Sequence, residues 1–585
     1  MKTKALISNT LKNIYENKFY FVTVSSTIQF FIIFFGKIIL SFLFWVILQA
    51  SEQVNITKDN FFHLFTNIYS VSAIIFFIII LAFLIFLEFA FLTFMAYSRI
   101  YNTNIQKKEI IKNTFEKIKM LFGVQIIFFI FYFIIMIPVA NIGLSSVFTE
   151  NIYIPDFITG ELTKTTTGII GYIIGTIILL YINLRLIFVL PLTIIEEHKL
   201  SENIKISWKI TKKHQFRLIW TWIVLILLFS IVIGFFVVLL YGILLLIRET
   251  GEHLLTSSIF LTIVEILLFF MAAISKIVII VSLVVVLGKK KILEEKGKKL
   301  SKKEKKISKI LLVIILISII NLFIFNYNFL KNKPIIGKNI EVVAHRGYVH
   351  GGVENSLESL EAAAKLKPNY VELDIITTKD NKFVVSHDYD LKRLAGIKKK
   401  IKDLNADEII GKTIKQNGFV SKIVSFEDFV KKAKELNVNL FVELKPHKEG
   451  ESPDYIDKVI SKMRELGIDK TSKIISLNLK VLEEINKKAP EIEVGYIVPI
   501  LFGNFGNNNV DFYLVEDFSF SENMVIQVKK ENKKLYVWTV NNENKIVKYL
   551  QEDVDGIITD ELELVNELKN NKQENIFSIL DTLGL

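Results

Sequence analysis

The chain of 585 residues contains no cysteine. That absence removes disulfides, zinc–thiolate sites and thiol nucleophiles from consideration, and it leaves the compartment open. No nucleic-acid-binding motif accompanies the formal charge of +12 either. The lysines behind that excess cluster in short loops between apolar stretches, where they act as topology signals, so no nucleic-acid partner is expected. Nor does the chain start like a cleavable leader. The first apolar stretch begins too far from Met1 and runs too long, and it is expected to stay as a signal anchor.

What is present is unevenly distributed. Hydrophobic residues make up 51% and phenylalanine alone fills 48 positions, concentrated before residue 330. The remainder has an ordinary soluble mixture, and the length exceeds that of one ordinary domain. Seven apolar stretches reach the ~20 residues that cross a bilayer as helix. They lie near 20–49, 68–98, 119–147, 167–196, 217–248, 255–288 and 308–329. Several are longer than needed, which permits tilt. The expected organisation is a polytopic helical domain over 1–329, a short linker at 330–339, a soluble domain over 340–568 and a tail at 569–585.

The loops alternate in charge. Lys2, Lys4, Lys12 and Lys18 precede the first stretch, and the loop 50–67 has only Lys58. Arg99, Lys107, Lys108, Lys112 and Lys117 mark the next loop, whereas 148–166 carries only Lys164 against three acids. The loop 197–216 is basic, the turn near 249–254 acidic, and the loop 289–307 the most basic of all. Positive charge stays inside, so the amino terminus is expected in the cytoplasm of a multi-pass cell-membrane protein. An odd number of spans then delivers residues 330–585 to the outside. Lys37, Glu88, Arg185, Glu265 and Lys276 fall inside stretches. Such residues face protein or water rather than lipid. Glu265 and Lys276, eleven apart, share a helix face. A polar cavity for headgroups is one reading of this set; inter-helix pairing that orders the bundle is the favoured one. Gly168, Gly171 and Gly175 give the spacing of close helix packing.

From residue 340 short β-rich runs alternate with amphipathic helices. The runs end at His345, Asp374, Lys445, Asn478, Val498, Glu516, Asn541 and Asp560. Helix patterns follow most of them, at 355–366, 425–436, 455–466, 479–488, 543–550 and 562–568. Asn355 with Glu358 signals a capping box for the first. Eight repeats match an α/β (β/α)8 barrel, with a doubly wound sheet as the alternative. Phe383–His387 forms an extra run, separated from the Asp374 strand by a loop too short for a parallel crossover. It must return as a hairpin turning at Asp380-Asn381, an insertion after the second strand that sets His387 beside Asp374.

Barrel enzymes place their chemistry at the carboxyl ends of strands. Glu372 and Asp374 are two apart and project from one face. Glu443 offers a third carboxylate from another strand. Three oxygen ligands without sulfur suit a hard cation, Ca²⁺ or Mg²⁺, which stabilises charge on a phosphate. Arg346 can clamp the phosphate with its planar fork, and Lys445 adds a second positive charge. His345 and His387 can divide general acid and base duties. A lone strand-end histidine is usually structural and a Glu-x-Asp pair usually makes salt bridges; it is their convergence at strand ends that points to cleavage of a phosphate ester. His350 and His447 lack that placement and read as loop residues. Glu354 reads equally as a contact to substrate or metal and as a partner for the positive end of the following helix.

His345-Arg346-Gly347, Glu354-Asn355-Ser356, Glu372-Leu373-Asp374, His387-Asp388, Glu443-Leu444-Lys445, Val537-Trp538-Thr539-Val540-Asn541 and Asp555-Gly556-Ile557-Ile558-Thr559-Asp560 occur in one order. This series resembles the glycerophosphodiester phosphodiesterase family over roughly 340–568. The resemblance implies a TIM-type barrel that hydrolyses glycerophosphodiesters to glycerol 3-phosphate and an alcohol. It implies His345 and His387 as the acid–base pair, Arg346 and Lys445 on the phosphate, and Glu372, Asp374 and Glu443 on a divalent cation. Trp538 matches an aromatic near the substrate's glycerol. The family's own mechanism has the glycerol hydroxyl attack phosphorus, so no protein nucleophile is needed. Val353 stands where the family often has proline, and His350-Gly351-Gly352 is local to this chain; both bear on the rim. The helical half resembles, by layout, the domain preceding some bacterial members. Lysophospholipids, intact phospholipids or a surface polyglycerolphosphate polymer are further substrates to weigh. A lipid-handling membrane module with a non-catalytic barrel is the non-enzymatic alternative.

Overall fold

The computed structural model describes residues 3–101, 125–136, 156–196, 198–248, 253–288, 316–328 and 340–570, with a few isolated positions besides. The chain divides into two units. One comprises 1–51, 65–154 and 162–332; the other comprises 52–64, 155–161 and 333–585.

The first unit is helical. Among the described residues, five helices are long and apolar enough to cross a membrane: Lys18–Ala50, Ile68–Ile100, Thr166–Ile195, Gln215–Leu240 and Leu254–Leu287. Shorter apolar helices, Gln125–Met136 and Leu316–Asn328, fall within the third and seventh expected stretches, whose other residues lie partly outside the described set. Inside such helices the backbone satisfies itself, so only side-chain charges need partners. Lys276 Nζ lies 3.3 Å from Glu88 Oε1, both side chains buried. The shared face of Glu265 and Lys276 therefore does not translate into a pair between them. Glu265 instead accepts a hydrogen bond of 2.6 Å from Asn326. Arg185 donates to the Trp208 carbonyl at 2.6 Å and lies over its indole ring. These contacts match the inter-helix pairing favoured above. Among the described residues, a Cβ on Gly171 or Gly175 would meet nothing within 4 Å, and one on Gly168 would meet Leu162 and Thr165 just before it, so no close helix packing is seen at this glycine spacing there.

The second unit is built on eight parallel strands. They are β1 (Glu341–Ala344), β2 (Tyr370–Thr377), β3 (Asn439–Leu444), β4 (Lys473–Ser476), β5 (Val494–Val498), β6 (Phe512–Glu516), β7 (Lys534–Trp538) and β8 (Gly556–Thr559). Each pairs with the next, and β8 pairs with β1, which closes the ring. The doubly wound alternative, which needs two open edges, is thereby excluded. Side chains alternate along each strand. One set, including Phe441, Phe512, Leu514 and Tyr536, fills the interior. The other packs outward against the helices in the largest apolar cluster.

Seven helices follow the strands: Leu357–Lys365, Phe426–Glu435, Tyr455–Glu465, Leu479–Lys488, Glu522–Lys530, Glu543–Gln551 and Leu562–Asn570. The crossing from β5 to β6 has no helix, only a short strand, Leu501–Gly503. The first helix is capped by Ser356, whose hydroxyl and that of Ser359 reciprocate in a capping box. Asn355 and Glu358 were expected in that role; Asn355 instead adopts φ 60° and turns its amide toward Asp374.

The hairpin after β2 is present, with its register one residue from expectation. Ile375 faces Val385 and Thr377 faces Phe383, so Ser386, not His387, stands opposite Asp374. The turn has three residues between Thr378 and Lys382, with Asn381 at φ 58°, rather than the two inferred from Asp380-Asn381. The insertion continues to residue 424 as a small subdomain. It holds the antiparallel pair Thr413–Gln416 and Phe419–Lys422, and its own apolar cluster, including Val384, Leu391, Ile409 and Ile414.

Candidate active site

Strand register assembles the acids. Asp374 on β2 is the direct partner of Glu443 on β3, and Glu372 lies two residues earlier on the same face. Ligand oxygens of Glu372, Asp374 and Glu443 all fall within 4.8 Å of one another, the only such metal-capable cluster among the described residues. Glu372 and Asp374 are buried and Glu443 is half-buried. Burial, then repulsion from Asp374 and Glu443, pushes Glu372 well above the ordinary carboxylate range. Burial likewise raises Glu443. Asp374 goes the other way: burial would raise it, but Lys445, His387 and Arg346 draw it well down.

Two cations meet these acids. Lys445 Nζ reaches Asp374 at 3.0 Å and Glu443 at 3.4 Å. Arg346 follows β1 and its backbone amide donates to Glu372 at 2.7 Å. Its guanidinium lies 3.5 Å from Asp374 and 3.2 Å from Glu354. Arg346 holds φ 54°, unusual for a residue with a long side chain, and Gly347 follows at φ 84°. A Cβ on Gly347 would come within 2.4 Å of Ser359, so only glycine lets the loop fold back onto the first helix.

Both histidines have a carboxylate at Nδ1. His345 lies 2.9 Å from Asp560, and Asp560 in turn accepts from Asn541 at 2.5 Å. His387 lies 2.8 Å from Asp388, which accepts from Arg393 Nε at 2.6 Å. A carboxylate on Nδ1 fixes the tautomer and leaves Nε2 for proton exchange. Burial, then the charge of Arg346, lowers His387 to about 4. Asp388 is held well below its usual range by His387 and Arg393, against burial.

Glu354 is buried and its carboxylate is engaged. Arg346, both terminal nitrogens of Arg393, and Gln416 all donate to it. Burial opposes its charge, yet Arg346 and then Arg393 hold it down at about 2. Trp538 ends β7, with its indole N–H on the Leu514 carbonyl at 3.1 Å and its ring beside the interior cluster. His350 pairs with Glu561 at 3.1 Å and His447 with the Thr377 carbonyl at 2.8 Å, outside the acid cluster.

Several contributors lay beyond sequence reasoning. Asp560 is recoverable from barrel closure: Thr559 pairs with Ala344, so the next residues, Asp560 and His345, are neighbours. Asp388 carries a weaker signal, its place beside His387. Arg393 and Gln416 sit in the insertion, where no periodicity announced them.

Comparison with known proteins decides the family. A family model described as the membrane domain of glycerophosphoryl diester phosphodiesterase matches residues 7–325, more than half of the chain. A second, the glycerophosphoryl diester phosphodiesterase family, matches residues 345–564. The chain belongs to this family. It is a glycerophosphodiester phosphodiesterase with a multi-pass membrane domain, and its soluble unit is the family barrel. A glycerophosphodiester phosphodiesterase of Caldanaerobacter subterraneus is 27% identical over 243 residues, 38% of this chain and 96% of that one. The human lysophospholipase D GDPD1 is 39% identical over 79 residues, 14% of this chain and 24% of its own length. A crystal structure of a glycerophosphodiester phosphodiesterase from Parabacteroides distasonis has 26% identity, covers 40% of this chain and 99% of that chain, and gives a TM-score of 0.36.

Proposed function

We propose that this enzyme hydrolyses glycerophosphodiesters to glycerol 3-phosphate and an alcohol, with a divalent cation on Glu372, Asp374 and Glu443 and with His345 and His387 as the acid–base pair. The observation that carries this reading is the crowding of three carboxylates within 4.8 Å beside two histidines that each have a carboxylate at Nδ1. The donor set fits the ion. It is all oxygen, partly buried, and carries more negative charge than Lys445 and Arg346 cancel, which suits Ca²⁺ or Mg²⁺. Such a cation supplies positive charge to the phosphate oxygens.

The chain's own residues divide the remaining work. Arg346 and Lys445 bind the phosphate. One histidine takes the proton of the attacking glycerol hydroxyl at Nε2 and the other gives a proton to the departing alcohol oxygen, which leaves a cyclic phosphate; water then opens that ring to glycerol 3-phosphate with the two histidines exchanging roles. Asp388 and Asp560 hold the imidazoles in the tautomer that makes this exchange possible. The ring of Trp538 offers an apolar face to the glycerol carbons, its N–H being already committed. Glu354, counted among the substrate-binding residues from sequence, serves that end by fixing the Arg346 guanidinium.

The test is a panel of diesters assayed with and without chelator. Activity on glycerophosphocholine should vanish with chelator and return with added Ca²⁺ or Mg²⁺; full activity in chelator would sink the metal assignment. Lysophospholipid is a second substrate class, supported by the local similarity to a lysophospholipase D. Full-length enzyme that ignores lysophosphatidylcholine while cleaving glycerophosphocholine would remove it. The alternating loop charges support a cell-membrane topology with a cytoplasmic amino terminus and an external barrel.

A further inference from the structure

The crossing between β5 and β6 contains no helix; its own Leu501, Phe505 and Val510, all buried, pack into the outward apolar cluster. A second segment pairs with this crossing. Residues Asn55–Thr57 pair antiparallel with Leu501–Gly503, in the register Asn55 with Gly503, Ile56 with Phe502 and Thr57 with Leu501. These residues belong to the segment 52–64, which groups with the barrel unit although it lies almost 300 residues earlier, ~300 positions being far beyond the local range of ordinary crossings.

Four independent details show a fitted contact. Asp59 accepts a hydrogen bond of 2.9 Å from Tyr496, a β5 residue of the outward-packing set. The Asn55 amide donates to the Asn504 carbonyl at 2.6 Å. Asn60 folds the segment on itself, accepting from the Thr57 amide and donating to the Asn55 carbonyl. Gly503 holds φ 106°, and a Cβ there would come within 2.9 Å of the Val54 carbonyl. The barrel thus has a glycine where the segment passes. Asn55, Ile56 and Leu64 are buried, which a merely solvated loop would not require.

We infer that Glu52–Leu64 is a built-in strap of the catalytic barrel, laid on the helix-free crossing between β5 and β6, and that strap and barrel share one side of the membrane. The second half follows from the first, since backbone pairing cannot cross a bilayer. It fixes parity: the chain between Leu64 and Ile340 must cross the membrane an even number of times. The inference rests on the fold and on none of the proposed chemistry.

The cysteine-free chain allows a clean test. In full-length protein in membranes, the pairs Ile56→Cys with Phe502→Cys and Thr57→Cys with Leu501→Cys are oxidised and the linked peptides are identified by mass. At least one pair should link in high yield, and Ile56→Cys with Lys432→Cys, set elsewhere on the barrel, should not. Adding Gly503→Val should cut the yield several-fold and lower the melting temperature. In sealed cells, single variants Val54→Cys and Val420→Cys should react alike with an impermeant maleimide. Linking in neither register pair, equal linking of the control pair, indifference to Gly503→Val, or opposite labelling of the two single variants overturns the inference.

Discussion

Two buried lysines stand in contrasting surroundings. Lys276 of the helical unit meets Glu88 of another helix at 3.3 Å. Lys445 of the barrel lies between Asp374 and Glu443, with Glu372 in the same cluster and Arg346 as the other nearby cation. Packing needs the first arrangement, because a charge away from water must be compensated. It has no use for the second, in which like charges crowd and Glu372 and Glu443 are driven toward their neutral forms. The difference separates a buried charge that orders a bundle from the cluster proposed to hold a cation beside a phosphate.

The contrast can be broken from either side. The largest effect is expected from Glu372→Gln: diester hydrolysis should fall below detection while the melting temperature stays level or rises, because a crowded carboxylate is gone. Parallel activity and thermal-melt measurements check both halves. His387→Ala should lower kcat by about 10²–10⁴-fold, the usual contribution of a positioned acid or base, with the fold unchanged by circular dichroism. Glu88→Gln should do the reverse. It removes the negative charge that faces Lys276 inside the bundle and should lower stability, read by denaturant titration, while diester hydrolysis holds. Arg393→Lys should act more mildly, lowering kcat by roughly tenfold, because it reaches the reaction through other side chains: through Asp388 to His387 and through Glu354 to Arg346. An unchanged kcat would overturn that.

The smallest predicted effect concerns acid. Glu354 is held at about 2, below its ordinary 4.5. A carboxylate depressed in the folded state adds stability that is complete above its unfolded value and is lost as pH falls through the folded one. The barrel should therefore lose stability between about pH 4.5 and 2. Glu354→Gln should flatten that slope in an acid titration followed by tryptophan fluorescence.

Much of this was legible in the residues. Strand ends were readable because apolar runs of period two stop at polar residues, and this placed His345, Asp374 and Lys445 at one end of the barrel. Glu372 and Asp374 shared a face by the pleat alone. The hairpin was forced by a loop too short for a crossover, but its register slipped by one residue, because a three-residue turn with a left-handed Asn381 looks in sequence like the two-residue kind. Asn355 misled for a related reason: asparagine and serine both cap helices, and only the left-handed backbone at Asn355 shows that its amide serves Asp374. Glu265 and Lys276 shared a helix face, yet partners on other helices claimed each. Periodicity reports which side of a helix a residue occupies, not what stands across from it. Arg393 left no trace because long-range partners of a short irregular segment have no period.

The seam between β8 and β1 sets a condition on when the enzyme can begin to work. His345 stands at the start of the barrel and takes its orienting carboxylate from Asp560, near the end. A ribosome that has released the acid trio and both imidazoles has still not released that last carboxylate. Until the final strand docks, the nascent chain holds an unsteered first imidazole, and with His345 in its proposed acid–base role turnover would wait until synthesis of the barrel is finished.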